Sequence, residues 1–521
     1  LDRNYNKLVM NEQVKRIDVD MKLLKSYLKT KKLGLSDVEK ELSGALGMKA
    51  DDIDKIMKAK GTYKTLERSV ENDKADKVSK LKISGITISP DTKRYYVNGD
   101  FLSQVLGHTD IDGKGMSGAE LSYNKVLTGV PGTNISEVDN KDYTQLPYDN
   151  PTYTKPVDGK SVVLTIDASL QQFAEQVAGS ALSQYGAKSV TIMIMNPKNG
   201  EILAMASKPD YDPNSPWSGS NDSNAILDSW KNRSVQWAFE PGSIFKAITS
   251  EIALETKTCS ENDTFTCNGS VTIAGDTIRC WDPAGHGVEN FVDILKNSCN
   301  VGFAEVGIKL GRDKLYSNLK KFGFGTRTGI DLPGESPGIV KNVKNVGPVD
   351  LADTAFGQGI AVTQVQYMSV FNAIANGGTW IQPHIMKEVG ETDSNGKFKV
   401  DSKYDNKDSK SIMDKNITST LRGYLSKVVS EGVGKPAEIP GYDIAGKTGT
   451  AQKADPKTGG YETGKYVSSF AGMVPYEDPK LTYLISVDEP SGQNYYAAQT
   501  AAPVAKELIQ DIINYTNILD K

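Results

Sequence analysis

The stretch Phe239-Glu240-Pro241-Gly242-Ser243-Ile244-Phe245-Lys246 decides how this chain is read. Pro241 and Gly242 make a turn, and the apolar run Ile244 to Leu254 behind them has helical spacing. Ser243 therefore falls at the head of a predicted helix, where free N–H groups and the helix dipole favour negative charge. Lys246 lies one turn along the same face. A serine hydroxyl is a weak nucleophile until a neighbour takes its proton, and a desolvated lysine can do so. The same spacing recurs at Ser26/Lys29, Ser79/Lys82 and Ser317/Lys320, so one pair alone does not separate a reactive centre from a solvated helix face.

Two later stretches separate them. Ser298-Cys299-Asn300 follows in the chain, and Lys447-Thr448-Gly449-Thr450 comes after the strand-like segment Tyr442 to Gly446. S-x-x-K, S-D-N and K-T-G form the joint signature of penicillin-binding proteins and class A β-lactamases, and all three types occur here in that order, with Cys299 at the tolerant middle position of the second. Lys457-Thr458-Gly459 is a second match to the last motif. It sits between Asp455-Pro456 and Gly460-Tyr461 and reads as a polar loop between strands. A histidine-based triad is disfavoured, because His108, His286 and His384 accompany no G-x-S-x-G elbow.

A chain of 521 residues has room for two or three domains. Hydrophobic content of 38%, charged content of 24% and a net charge of −4 describe an ordinary globular protein. Lys and Arg (61) are outnumbered by Asp and Glu (65), which argues against a nucleic-acid partner. No apolar run reaches transmembrane length and no signal peptide opens the chain. The start at Leu1-Asp2-Arg3-Asn4 is read as an extracytoplasmic part whose upstream anchor has been removed.

Residues 1–155 are rich in Lys and Glu, with a capping-box helix start at Ser36-Asp37-Val38-Glu39. The glycine-rich stretches 112–120 and 127–132 imply tight turns, and no Walker lysine accompanies them. Residues 140–160, with Pro147, Pro151 and Pro156, read as a connector. A strand at 161–167, an amphipathic helix at 170–185 and a hairpin of 189–196 with 201–207 then open the second part. Strands at 442–452, 466–475 and 480–487 and a helix at 502–518 close it. The expected fold is α+β: residues 156–521 form a domain of helices on one antiparallel sheet built from both ends of that segment, preceded by an elongated mixed α/β domain at 1–155.

Taken together, these motifs resemble the class B penicillin-binding proteins, the monofunctional peptidoglycan D,D-transpeptidases, over nearly the whole chain. Leu1-Asp2-Arg3-Asn4, Gly113 to Glu120, Gly129 to Gly132, Asn232-Arg233, Phe356-Gly357-Gln358-Gly359-Ile360 and Ser469-Phe470-Ala471-Gly472 also fit. The likeness is greatest to Gram-positive division and sporulation members. It implies a non-catalytic, dimerisation-type pedestal at 1–155 and a transpeptidase domain at 156–521, with a membrane anchor placing both at the extracytoplasmic face.

The resemblance implies a role for each motif residue. Ser243 is the nucleophile and Lys246 its base. Ser298 relays a proton to the leaving D-alanine, and Asn300 holds the donor amide. Lys447 and Thr448 hold the terminal carboxylate. Gly449 lets the strand approach the substrate, and Thr450 and Ser243 supply oxyanion-hole N–H groups. Peptidoglycan stem peptides ending in D-Ala-D-Ala, β-lactams, a membrane glycan polymerase and division or sporulation proteins are the implied partners. The rivals are a β-lactamase or β-lactam sensor with the same serine–lysine site, and a scaffold with a vestigial pocket.

No cofactor is needed for this chemistry. The cysteines raise a separate question. Cys267 and Cys280 flank a segment that reads as a hairpin turning at Ala274-Gly275-Asp276, which brings the thiols together at its open end. His286 follows closely, and Asp282, two residues past Cys280 on the same strand face, completes a candidate zinc set, with Asp263 in reserve. A Cys267–Cys280 disulfide or two reduced thiols are the alternatives. A metal here is structural, since no open coordination position is evident. Cys259 and Cys299 look unpaired.

Overall fold

Ser189–Met195 and Ile202–Lys208 form the expected hairpin, and its first strand pairs with a strand from the far end of the chain. The resulting antiparallel sheet runs Ala445–Ala454, Tyr461–Val474, Leu481–Asp488, Ser189–Met195, Ile202–Lys208. Every residue of Ser189–Met195 and Leu481–Asp488 is buried. Both faces are therefore covered, which is why Ser-Val-Thr-Ile-Met-Ile-Met is continuous rather than alternating in hydrophobicity. Val190, Ile192, Ile194 and Ile485 form one core with the helices Ala168–Gln184 and Ala501–Tyr515. The intervening residues face the buried helix Gln364–Ala375, where Thr191 accepts a hydrogen bond from Gln364 at 2.5 Å and Thr482 donates to Asn372.

The computed structural model describes residues 1–135, 137, 152–406, 408–455, 458–492 and 494–519. They divide into two compact units. One contains residues 7–99 and 108–116; the other contains 1–6, 100–107 and 117–521. In the smaller unit, Val9–Asp20 is the central strand between Tyr63–Val70 and Ile86–Tyr96, all antiparallel. Ile17, Leu24, Val38, Leu42, Ile53 and Val78 join its helices to the sheet in one core. Its second helix, Leu35–Leu46, starts one residue before the expected cap: Asp37 accepts from the Gly34 N–H at 2.8 Å, so Gly34 rather than Ser36 is the capping residue. Part of the predicted connector, residues 138–151, lies outside the described residues.

In the larger unit the opening residues dock by their backbone, with Leu1 N to Val162 O at 2.9 Å and Arg3 N to Ile166 O at 2.9 Å. Asp2 is fully buried and takes the N–H groups of Asn4 and Asn6, each at 2.8 Å. The helix Lys246–Glu255 is buried from Lys246 to Leu254, so it is a core helix rather than a surface one, and it carries Lys246 and Glu251 into the interior. No helix of the described residues is long and apolar enough to cross a membrane.

Candidate active site and thiol cluster

Ser243 lies in a 3-10 turn, Gly242–Phe245, which runs directly into the helix that begins at Lys246. Gly242 has φ +54°, and a Cβ there would sit 3.1 Å from the Thr450 carbonyl carbon and oxygen. Only glycine combines that backbone with so close an approach to the strand Ala445–Ala454. Its N–H also donates to Gly357 O at 2.9 Å, which ties the Ser243 turn to the 356–360 segment. In contrast to the other Ser-x-x-Lys pairs, whose residues are all exposed, Lys246 is fully buried.

Lys246 Nζ donates to Ser298 O and Asn300 Oδ1, both at 2.7 Å, and reaches Ser298 Oγ at 3.3 Å. Burial pushes its ammonium down to about 8. Lys447 is also fully buried, with Nζ 2.9 Å from Ser298 Oγ and 3.0 Å from Thr448 O. Burial and the charge of Lys246 hold it well below the usual lysine range. The three motifs thus meet at one hydroxyl, with Ser298 bridging the two lysines. Ser298 itself has φ +58°, a left-handed conformation unusual outside glycine and a form of strain that concentrates at functional sites.

Lys447 to Thr450 lie in unbroken register against Ala471 to Ser468. Gly449 also has a packing role. A Cβ there would lie 2.8 Å from Ile244 N and 2.9 Å from Pro241 O, so the missing side chain makes room for the nucleophile turn. Lys457 falls outside the described residues, while Thr458 and Gly459 lie in the turn between the strands. His108 is buried in the smaller unit and His384 stacks on Tyr404 at 3.7 Å.

Two features beside the motifs have no local sequence signal. Tyr466 stacks on Tyr495 at 4.0 Å and Tyr495 on Tyr496 at 4.5 Å. This aromatic stack adjoins the motif strand, because Tyr466 pairs with Gln452 and Ala497 N donates to Thr450 Oγ1 at 3.0 Å. Glu240, three residues before Ser243, accepts from Gly359 N at 2.9 Å and from the Tyr461 hydroxyl at 3.4 Å. Burial pushes its carboxyl up to about 7. Glu240 was visible inside the opening motif; only its partners were hidden.

The cysteines assemble differently from expectation. Ligand atoms of Cys267, Cys280, His286 and Cys299 all lie within 4.8 Å of one another. Cys280 Sγ is 3.6 Å from His286 Nδ1, and Cys299 Sγ caps the helix Asn300–Lys321 by accepting from Gly302 N at 3.3 Å. Asp282 is not in this group. The strand Asp276–Arg279 ends before it, the period-two face does not continue, and its carboxylate takes Ala284 N at 2.9 Å instead. The reserve, Asp263, stands near Lys309 at 3.8 Å. The hairpin does form, with Ser270 paired to Arg279 and the turn at Ala274-Gly275.

Three thiols and an imidazole are the donor set of a closed tetrahedral zinc site. His286 Nε2 is buried without a hydrogen-bond partner, as is Glu289 Oε2 beside it, so the pocket carries unsatisfied polar atoms of the kind a cation relieves. The cluster abuts the catalytic motif: Cys299 is its middle residue, Asn300 Nδ2 donates to Arg279 O at 3.2 Å, and Trp281 Nε1 donates to Asn297 O at 3.0 Å.

Comparison with known proteins agrees with this geometry. Residues 190–510 match the family described as the penicillin binding protein transpeptidase domain, and residues 1–164 match the penicillin-binding protein dimerisation domain. Stage V sporulation protein D of Bacillus subtilis is 36% identical over 517 residues, covering 98% of this chain and 77% of that protein. Peptidoglycan D,D-transpeptidase FtsI of Buchnera aphidicola is 31% identical over 521 residues, covering 99% and 86%. Among solved structures, penicillin binding protein 2X from Streptococcus thermophilus superposes with a TM-score of 0.77 at 27% identity, covering 100% of this chain and 79% of that one. Penicillin binding protein 3 of Mycobacterium tuberculosis complexed with ampicillin gives 0.70 at 30% identity, covering 82% and 90%.

Proposed function

The chain belongs to the class B penicillin-binding proteins, serine-type peptidoglycan D,D-transpeptidases, and on that premise we propose how its own residues carry the reaction. Ser243 attacks the penultimate D-alanine carbonyl of a donor stem peptide. Lys246, buried and easily discharged, takes the hydroxyl proton. The proton passes through Ser298 to the leaving D-alanine nitrogen, and an amine of a second stem peptide then displaces the acyl-enzyme. The carrying observation is the shared Ser298 hydroxyl, with Lys246 and Lys447 at 3.3 and 2.9 Å.

Two lysines packed this closely favour at most one full positive charge between them. A substrate carboxylate arriving at Lys447 and Thr448 restores the charge on Lys447, and Lys246 is then the lysine left neutral to act as base. Asn300 aligns Lys246 and takes the donor amide. The N–H groups of Ser243 and Thr450 receive the oxyanion; losing such a donor typically costs ~3 kcal/mol of transition-state stabilisation. β-Lactams enter the same path, because their strained amide and carboxylate present the same two handles.

We place the enzyme at the extracytoplasmic face of the membrane, where its substrate lies, held by an anchor preceding Leu1 and working beside a glycan polymerase of division or sporulation. Its catalysis needs no cofactor. Cys267, Cys280, His286 and Cys299 would hold a structural zinc, which would neutralise thiolate charge and stabilise the hairpin beside the Ser298-Cys299-Asn300 turn. The three buried thiols and the half-buried His286, whose Nε2 lacks a partner, support this over a disulfide.

Intact-protein mass after exposure to a penicillin tests the assignment of the nucleophile. A lasting adduct is expected on the wild type and none on Ser243→Ala. An adduct on both would overturn it, and rapid antibiotic turnover by the wild type would instead favour a β-lactamase acting through the same serine.

A further inference from the structure

The hairpin that leads to Cys280 ends in an arginine whose backbone touches the Ser298-Cys299-Asn300 motif. In the strand Asp276–Arg279, Ile278 is buried and Arg279 is exposed, so the two point to opposite faces. The Arg279 backbone is pinned: its carbonyl accepts from Asn300 Nδ2 at 3.2 Å, the next residue belongs to the thiol cluster, and Trp281 holds Asn297 O. Its guanidinium is not engaged. Every other described arginine has a partner, including Arg3 with Glu201, Arg16 with Asp18, Arg68 with Asp91, Arg233 with Asp228, and Arg422 with the carbonyls of Tyr476 and Ile374. Among the described residues Arg279 has none. The nearest acids along the hairpin do not claim it. Asp276 is at the turn, and Asp282 is occupied by its own backbone turn.

An exposed, unpaired arginine whose backbone carbonyl touches Asn300 has a chemical consequence. Asn300 holds the donor amide, so the stem-peptide residue upstream of the reacting D-alanine runs past the hairpin at Arg279. A planar fork of N–H donors matches a carboxylate in shape and charge better than any other partner it could meet there. We propose that Arg279 is a specificity-determining residue that reads a side-chain carboxylate of the donor stem peptide upstream of the acylating D-alanine. The inference rests on the acyl-transfer reading of Ser243. It assigns to the hairpin a substrate-reading task in addition to its cysteines.

Two penicillins test it, one with a carboxylate on its acyl side chain and one with a neutral side chain of similar size. The readout is the ratio of their second-order acylation rate constants for wild type, Arg279→Gln and Arg279→Lys. The anionic-to-neutral ratio is expected to fall roughly fivefold in Arg279→Gln, as for a partly exposed ion pair, and to be largely kept in Arg279→Lys. Raising the salt concentration is expected to lower the ratio in the wild type but not in Arg279→Gln. Equal losses with both penicillins would reduce Arg279 to a structural support of the hairpin, and an unchanged ratio would remove its role altogether; either result overturns the proposal. A wild type that forms no adduct with either compound would instead refute the acyl-transfer reading beneath it.

Discussion

Replacing Gly449 by alanine tests whether the motif strand is shaped by the substrate or by the nucleophile. The added Cβ would stand 2.8 Å from Ile244 N, 2.9 Å from Ile244 Cγ2 and 2.9 Å from Pro241 O, where ordinary contact begins at 3.4 Å. The gap must open by 3.4 − 2.8, about 0.6 Å. Two of those atoms are backbone and cannot swing aside. The strand cannot withdraw either, because Lys447 to Ala451 are paired in register with Ala471 to Val467. The turn carrying Ser243 must therefore retreat, and with it one of the two N–H donors aimed at the oxyanion. A displacement of 1 Å in such a site can cost ~100-fold, so acylation by a chromogenic cephalosporin should slow roughly ten- to a hundredfold. The overpacking should cost about 1–3 kcal/mol of stability. Stopped-flow acylation read beside thermal unfolding separates the two effects. A variant that acylates at the wild-type rate, or one that slows only in proportion to its unfolded fraction, would refute this account of the strand.

The remaining expectations concern charge and metal. Because Lys246 must be neutral to act as base and its ammonium is held near 8, acylation should rise with pH and reach half its limit near that value; a level profile from about pH 6 to 9 would contradict the assignment. Glu251 is fully buried, neither of its carboxylate oxygens has a partner, and burial pushes it up to about 8, with Glu255 and Asp414 adding to the shift. Its native form therefore holds a proton that the unfolded chain has released between the ordinary glutamate range and about 8, so stability should decline as pH rises through that window. Glu251→Gln should flatten the dependence of the melting temperature on pH, and parallel curves for variant and wild type would exclude it as the cause. Elemental analysis should find zinc in the wild type and a deficit in Cys280→Ser and Cys299→Ser, with lower melting temperatures for both. Full zinc occupancy in Cys299→Ser alongside a deficit in Asp282→Ala would restore the aspartate as fourth ligand.

How far the sequence could be read follows from where its information sits. Ser243 with Lys246, Ser298 with Asn300, and Lys447 with Thr448 each lie within four residues of chain, and short spacing fixes their mutual geometry once a helix or strand is recognised. The sheet was legible for a similar reason, since Ser189–Met195 and Leu481–Asp488 are apolar runs bounded by turns. What escaped depends on contacts between distant segments. Tyr466, on a strand, meets Tyr495 in the segment after Leu481–Asp488, and the neighbour of Gly449 is the turn at Pro241. Cys299 was overlooked as a ligand because the motif around it already had an explanation. Asp282 was favoured because the strand period was carried past Arg279, where the chain leaves the sheet and turns on its own carboxylate.

The interleaved sheet also sets when this enzyme can exist. Its hairpin, residues 189–208, is made before the neighbouring strands 445–488, with residues 209–444 in between. Until then Ser189–Met195 has one edge unpaired and much of its apolar surface uncovered, a state exposed to aggregation and resolved only by a distant closure. Ser243 is likewise made well before Lys447. The reactive serine thus has no carboxylate grip, no second oxyanion donor and no packed base until the last strands dock. Catalytic competence waits on those strands, and a chain halted anywhere before residue 445 is not a weak enzyme but no enzyme at all.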